Sequence, residues 1–416
     1  MKGRLATIVL VAIYLFGITL TSFTPRSEPD LLFISVFLAF VPWFFWLKEN
    51  INVTILILTA LIGRLVFFLE LPLLSDDFYR FIWDGSLLLD GVNPIGKIPS
   101  QTDFIGPAAQ ELLDNMNSAD YPSVYPPLHQ LGMAIGAAFS GLLHQVNGIR
   151  LFILLMELGG ALYFFRRDKR LFGLYALYLV NPLVIVEGLG NVHFEAALLP
   201  LVAVSVHQAG NSHVTGSGIS LAMSILVKLN PLMFFPAFYR NERGIKIVAT
   251  AAVLVVICFL PFWNGLMQVF EGFDLYFRKF EFNASLYYLV AEICTSILGY
   301  NPISAVGPMF GLTSLLLICL VAFLKIELSE KVLISYLIFF IFSTTVHPWY
   351  IIPLIWFSIL TRRNALTIWS FSVFFSYTHY YDTLSPKYAW ITVEYALLLI
   401  AIIYEYRRRP IQLFRG

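Results

Sequence analysis

The sequence predicts an all-α polytopic membrane protein with about 12–14 transmembrane helices and one large outer loop carrying interfacial helices. Three observations carry that prediction. Of the 416 residues, 58% are hydrophobic and only 13% charged, with a mean hydropathy of +0.77. Soluble domains hold roughly 25% charged and about 45–50% apolar residues, so a soluble protein of this composition would need a very unusual surface. The apolar residues also fall in blocks of helix length and not in ten-residue alternations, which excludes an outer-membrane barrel. Finally, 27 Lys and Arg face 26 Asp and Glu, a net charge of +1. No overall field recruits nucleic acid, and the placement of individual charges has to carry the information.

Apolar runs at 5–23, 31–47 and 53–71 are each near the ~20 residues that a ~30 Å hydrocarbon core demands. The first has Lys2 and Arg4 ahead of it, yet its apolar part exceeds a signal-peptide core of about 7–15 residues and no small-x-small site follows, so it is expected to stay as a helix. From Leu74 to Val124 acidic residues and prolines accumulate and no spanning segment is present. Within a single 1–416 transmembrane domain, this begins the outer loop, 74–147. Further apolar blocks run at 148–165, 171–187, 194–207, 215–239, 245–262, 303–324, 332–346, 349–360, 365–380 and 389–404. The segments 125–143 and 285–298 are expected to lie along the membrane surface. Cys258, Cys294 and Cys319 sit in apolar stretches, too far apart for a disulfide framework or a metal knuckle, and read as small core hydrophobes.

With the amino terminus inside, 18 of the 27 Lys and Arg residues fall on the cytoplasmic side and 7 outside, with Arg64 and Lys228 inside membrane segments. This asymmetry holds only if the two surface segments do not cross. It also requires the 215–239 block to enter and leave on one side, which implies two half-helices broken at Lys228-Leu-Asn-Pro231. Broken helices in membranes usually line a cavity.

The polar oddities then gather outside. The run from Ser75 to Gly85 holds the adjacent pair Asp76 and Asp77. Partial desolvation and mutual repulsion raise at least one of their pKa values, which makes a usable general base. The other reading is an acidic cap, with Ser75 or Asp76 accepting the free N–H groups of a short helix.

The pattern LPLLSDDFYRFIWDGSLLLDGVNPI, followed by SVYPPLHQ, resembles the first outer loop of the GT-C superfamily of membrane glycosyltransferases, especially the polyprenol-phosphate-mannose-dependent mannosyltransferases. The likeness extends to the Tyr-Pro-Pro helix, the Lys-x-x-Pro segment at Lys228 and the aromatic-rich FEFNASLYYL, covering about residues 64–350. Three spans precede the acidic loop, whereas much of the superfamily has one. The resemblance implies a sugar, mannose above all, moved from a polyprenyl-phosphate donor to an acceptor hydroxyl on the outer face by inverting displacement. That chemistry needs a carboxylate to take the acceptor proton, cations for the leaving phosphate and an apolar groove for the isoprenoid tail.

Asp76 or Asp77 is the expected base. The expected donor phosphate or sugar contacts are Arg80, Tyr125, Arg150, His193, Glu195, Lys228, Asn283, His347 and Tyr350. Lys228 costs about 2.5–3.5 kcal/mol to insert, so it should face a cavity with an anionic partner, either a lipid phosphate or a buried carboxylate such as Glu157 or Glu187. Neither a metal nor another cofactor is expected, because Lys and Arg suffice for a singly charged phosphodiester. The acceptor could be a lipid, a glycan or a protein. Short loops favour a bacterial inner membrane with the site facing the periplasm or exterior. A multi-span transporter or lipid flippase is the alternative, since a broken helix and intramembrane charges suit it too.

Overall fold

The computed structural model describes residues 2–49, 51–103, 109–239, 241–380 and 388–408. Of the basic residues assigned to a side above, Arg240, Lys387, Arg409 and Arg415 lie outside these segments. The described chain is helical throughout, with only two isolated bridges, Ile95 to Ser123 and Phe282 to Thr345.

Helices α1 (Lys2–Ser22) and α2 (Pro29–Trp46) form a tight hairpin. A side chain at Gly17 would meet the Ala39 nitrogen at 2.6 Å and the Ser35 oxygen at 2.7 Å, so only glycine permits this approach. Helix α3 (Val53–Phe67) starts at Asn52, whose side chain accepts from the Thr54 N–H at 2.8 Å, an ordinary N-cap. The outer loop holds α4 (Asp77–Leu89), α5 (Ala109–Asn115) and α6 (Pro127–Ala137). Arg80 and Asp84 pin this loop from within. Arg80 donates to Asp84 at 2.9 Å and to the carbonyls of Ser118, Tyr121 and Lys97, while Ser123 and Gln130 donate to the other Asp84 oxygen.

The remaining helices are α7 (Leu142–Arg167), α8 (Lys169–Leu179), α9 (Glu195–Gly210), α10 (Val214–Val227), α11 (Phe235–Phe238), α12 (Glu242–Phe259), α13 (Leu266–Lys279), α14 (Leu286–Leu298), α15 (Ile303–Val321), α16 (Leu328–Ile341), α17 (Ile352–Thr361), α18 (Ala365–Ser372) and α19 (Ala389–Arg408). Among the described residues, six helices are long and apolar enough to cross a membrane alone, and α8 with the turn Val184–Gly190, bent by 78°, gives a seventh. Shorter apolar helices lie at Val53–Phe67, Val214–Val227, Leu286–Leu298 and Pro348–Thr361. The expected span 171–187 is the bent pair, since the chain turns after Leu179. The expected surface segments form α6 and α14, both short. The three cysteines are free and half-buried, not core residues.

The block 215–239 is broken as expected. Helix α10 ends at Val227, Lys228 is extended (φ −154°, ψ 141°), and the chain returns through the turn Asn230–Phe234 and α11. Arg243, at the start of α12, donates to the Ser212 hydroxyl at 2.6 Å, so the segment between them leaves and rejoins the same end of the bundle.

Arg64 and Glu157 cross-link α3, α7 and α8 deep inside. The guanidinium donates to both Glu157 oxygens at 2.9 and 2.8 Å and to the carbonyls of Ala60 and Leu179 at 3.0 and 2.8 Å. Both side chains are buried, so removing one strands the other's charge in a low-dielectric interior. Glu157→Ala should therefore destabilise the protein by about 3–5 kcal/mol, read as a lower unfolding temperature in detergent. Arg64→Met combined with Glu157→Met should recover most of the loss. A single substitution no worse than the double would contradict this.

Candidate active site

Four short segments meet at one end of the bundle. The first is the start of α4. The Ser75 hydroxyl accepts from the Asp77 N–H at 3.3 Å, so Ser75 does the capping and Asp76 makes no side-chain cap. The Asp76 carboxylate is instead held by Arg26, from the α1–α2 loop, whose guanidinium also lies 4.6 Å from the Tyr380 ring centre. Asp77 has no such ion pair. It accepts from the Asn117 amide at 3.0 Å. Burial pushes its carboxyl above the usual range; the Asn117 bond and the Lys228 charge oppose that shift, and neighbouring Asp76 adds to it.

The second segment is the turn joining α8 to α9. It contains seven residues of π-helix, Val184–Gly190, a rare form that is frequent at functional sites. Val192 then sits at φ 57°, an uncommon conformation for a β-branched residue. Asn191 anchors this turn to the acidic segment, accepting from the Leu74 N–H at 3.1 Å and donating to the Val186 carbonyl at 2.9 Å. The result is that Glu187, His193 and Glu195 all project into the buried interior. Glu187 accepts from the Tyr377 hydroxyl at 2.6 Å and lies 3.5 Å from His193 Nε2.

The third segment is the helix break. The Lys228 ammonium pairs with the Glu195 carboxylate and lies 4.9 Å from the Tyr350 ring centre. The partner expected for Lys228 was a lipid phosphate or a buried carboxylate such as Glu157 or Glu187; of those two acids, Glu157 is committed to Arg64 and Glu187 to Tyr377, and the carboxylate present is Glu195. The Lys228 side chain remains 26% exposed and its Glu195 partner only 1%. Beside the break, His129 Nδ1 lies 3.0 Å from the Val227 carbonyl.

The fourth segment is His347 to Tyr350. His193, Trp349 and His347 stack in parallel, with ring centres 3.6 and 4.4 Å apart, and Phe282 covers the outer face of His347 at 4.6 Å. Both faces of Trp349 are therefore occupied by imidazoles, which leaves no face for a sugar. Burial, reinforced by Lys228 and His379, holds His347 down to about 3, and burial likewise lowers His193. Both rings are neutral at physiological pH.

Lys228 thus acts electrostatically on Asp77, His193 and His347, and Asp77 in turn acts on Tyr125 and Tyr350. Three expected contacts stand apart. Arg80 is enclosed by the loop it pins. Arg150 is buried and donates to the Glu70, Leu189 and Gly190 carbonyls and to Asn147, making it a strut between α7 and the π-turn. Asn283, at φ 46°, donates to Glu394 at 3.1 Å and reaches the site only through its neighbour Phe282. Arg26, Asn117, Glu187 and His129 belong to the site without having been expected. His129 was readable, since it falls in the same turn of sequence as the Tyr-Pro-Pro motif; the others are brought in by tertiary contacts. Among the described residues, no three His, Cys, Asp or Glu side chains are arranged to hold a metal ion.

The family model described as alpha-(1->6)-mannopyranosyltransferase, N-terminal domain, matches residues 27–240, just over half the chain and all but the last of these four segments. No curated protein and no solved structure matches the chain. The chain belongs to this mannosyltransferase family and is a membrane glycosyltransferase.

A base must be ionised to act, so a base with the raised pKa of Asp77 would put the acidic limb of an activity profile above the ordinary carboxylate range. Asn117→Leu removes a bond that favours the ionised form. The limb in kcat/KM should move to higher pH, with the plateau kept within about twofold; an unmoved limb would exclude Asp77 as the titrating group.

Proposed function

We propose that this protein transfers mannose from a polyprenyl-phosphate donor to an acceptor hydroxyl on the outer face of the membrane, in a GT-C type of architecture, by one inverting displacement with Asp77 as the base. The α-(1→6) linkage in the family description sharpens the chemistry. Inversion at C1 gives an α-linkage only from a β-linked phosphate, and a 1→6 bond makes the nucleophile a primary C6 hydroxyl. In the step, the bond from O6 to C1 forms as the bond from C1 to the phosphate oxygen breaks. The hydroxyl proton passes to Asp77, and the electron pair of the broken bond stays on the phosphate, which goes from monoanion to dianion.

The observation that carries this reading is the placement of Lys228. A cation at a helix break, about a quarter exposed and anchored by a buried carboxylate, can receive a phosphate without giving up its partner. It does so within electrostatic reach of Asp77. Stabilising charge that grows in the transition state is where a fixed cation is most effective. Asp76 serves by a different route: its pairing with Arg26 leaves the neighbouring carboxylate as the one without a counter-ion. Neutral His347 and the Tyr350 hydroxyl complete the polar wall around the donor headgroup.

Transport or lipid flipping would need charged groups along a path to both faces. Arg64, the deep cation that gave that reading weight, is sealed by Glu157.

The test is transfer from radiolabelled polyprenyl-phosphate-mannose by the full chain in liposomes. Asp77→Asn should lose about 10²–10⁴-fold in rate. Asp76→Asn should keep activity within about tenfold, in line with the small energy of an exposed ion pair. Lys228→Met should lose about 10²-fold in kcat/KM. Full activity of Asp77→Asn would end the base assignment, and full activity of Lys228→Met would end the phosphate assignment.

A further inference from the structure

His129 lies in the Tyr-Pro-Pro-Leu-His stretch of the outer loop and has no place in the chemistry above. Its ring is almost completely buried. Burial, followed by the Lys228 charge, keeps it well below the ordinary imidazole range, so it is neutral and carries a single N–H. Nδ1 faces the Val227 carbonyl at 3.0 Å. Two acceptors at that distance would repel, so the hydrogen is on Nδ1 and the ring donates. Helix ends leave their last carbonyls without partners, and Val227 is the last residue of α10 before the chain turns extended. His129 supplies that missing donor from a different part of the chain.

The same ring makes a second contact. It stacks on Phe194 with ring centres 3.6 Å apart at 21°, and it is boxed in by Tyr125 at 4.4 Å and the edge of Phe81 at 5.4 Å. Val227 immediately precedes Lys228, and Phe194 immediately precedes Glu195. One imidazole therefore holds the residue ahead of each member of the ion pair. The remaining nitrogen, Nε2, is buried and has no partner among the described residues. It gives the ring no competing reason to rotate.

We infer that His129 is a positioning residue of the donor site, clamping the backbones that present Lys228 and Glu195 so that the ammonium meets a lipid-phosphate headgroup in a fixed place. The inference rests on the reading that Lys228 receives the donor phosphate. It also gives the Tyr-Pro-Pro segment a purpose: the two prolines start α6 at the angle that delivers His129 to the helix break, and α6 packs against α4, which begins with the catalytic Asp77.

The experiment uses the full chain in liposomes with the radiolabelled mannosyl donor and compares His129→Asn with His129→Gln. Asparagine places its amide N–H near the Nδ1 position and can still donate to Val227; the glutamine amide reaches toward the Nε2 position and cannot. His129→Asn keeps the bond to Val227 but loses the stack on Phe194, so it should raise the donor KM about threefold, and His129→Gln, which loses both, about tenfold, with the acceptor KM unchanged in each. His129→Gln combined with Lys228→Met should be no worse than Lys228→Met alone, because both act on one contact. Equal behaviour of the two His129 variants, or a loss confined to kcat, would overturn the positioning role. Full activity of Lys228→Met would instead overturn the phosphate reading on which it rests, so the two failures are told apart.

Discussion

A charge inside a helical membrane bundle has to be given a partner, and the pairing of Lys228 with Glu195 is the constraint around which this end of the protein is arranged. To bring the two together, α10 stops and the chain runs extended at Lys228, while the preceding turn departs from α-helix, through π-helix and a left-handed Val192, to present Glu195 at the first position of α9. A β-branched residue in that conformation stores strain of order 1–3 kcal/mol. The surroundings hold it by tying down neighbouring polar groups: Asn191 onto the acidic segment, Arg150 onto two carbonyls of the π-turn, Glu187 onto Tyr377. The deeper charge pair, Arg64 with Glu157, answers the same requirement but ends in structure, because both Glu157 oxygens and all three guanidinium nitrogens are taken up in hydrogen bonds.

The stack of Phe282, His347, Trp349 and His193 shows how the site is kept rigid without further ions. Four rings in near-parallel register join the 282–285 segment, the start of α17 and the π-turn, three parts of the chain far apart in sequence. Both imidazoles are neutral, so the stack adds polar edges without adding charge beside Lys228. A protonated histidine there would compete with the ammonium for Glu195 and repel it.

Much of this was legible in the sequence, and the limits have a physical pattern. The helical membrane class follows from composition, and the broken segment at Lys228 follows from counting basic residues by side. Asp76 and Asp77 stood out because two adjacent carboxylates at a membrane boundary are unusual. Which of the two carries no counter-ion could not be read, since that depends on Arg26 reaching across from the α1–α2 loop. Arg80 and Arg150 looked like phosphate clamps because a sequence cannot show which backbone carbonyls will absorb a guanidinium's five donors. The bend inside the 171–187 block was not legible for a related reason: hydropathy reports how apolar a segment is, and a π-turn or a break leaves that average untouched.

The hydrogen bond between Arg243 and Ser212 marks the two feet of a hairpin that dips into the bilayer and comes back. Such a detour is neutral in parity. Everything from α12 onward keeps the orientation it would have if residues 213–242 were excised, so the hairpin could be acquired, lengthened or reshaped over evolutionary time without inverting the half of the protein that carries His347 and Tyr350. A lysine mounted on an ordinary crossing helix would have had no such freedom, because adding that helix would have turned the following segments to face the opposite compartment.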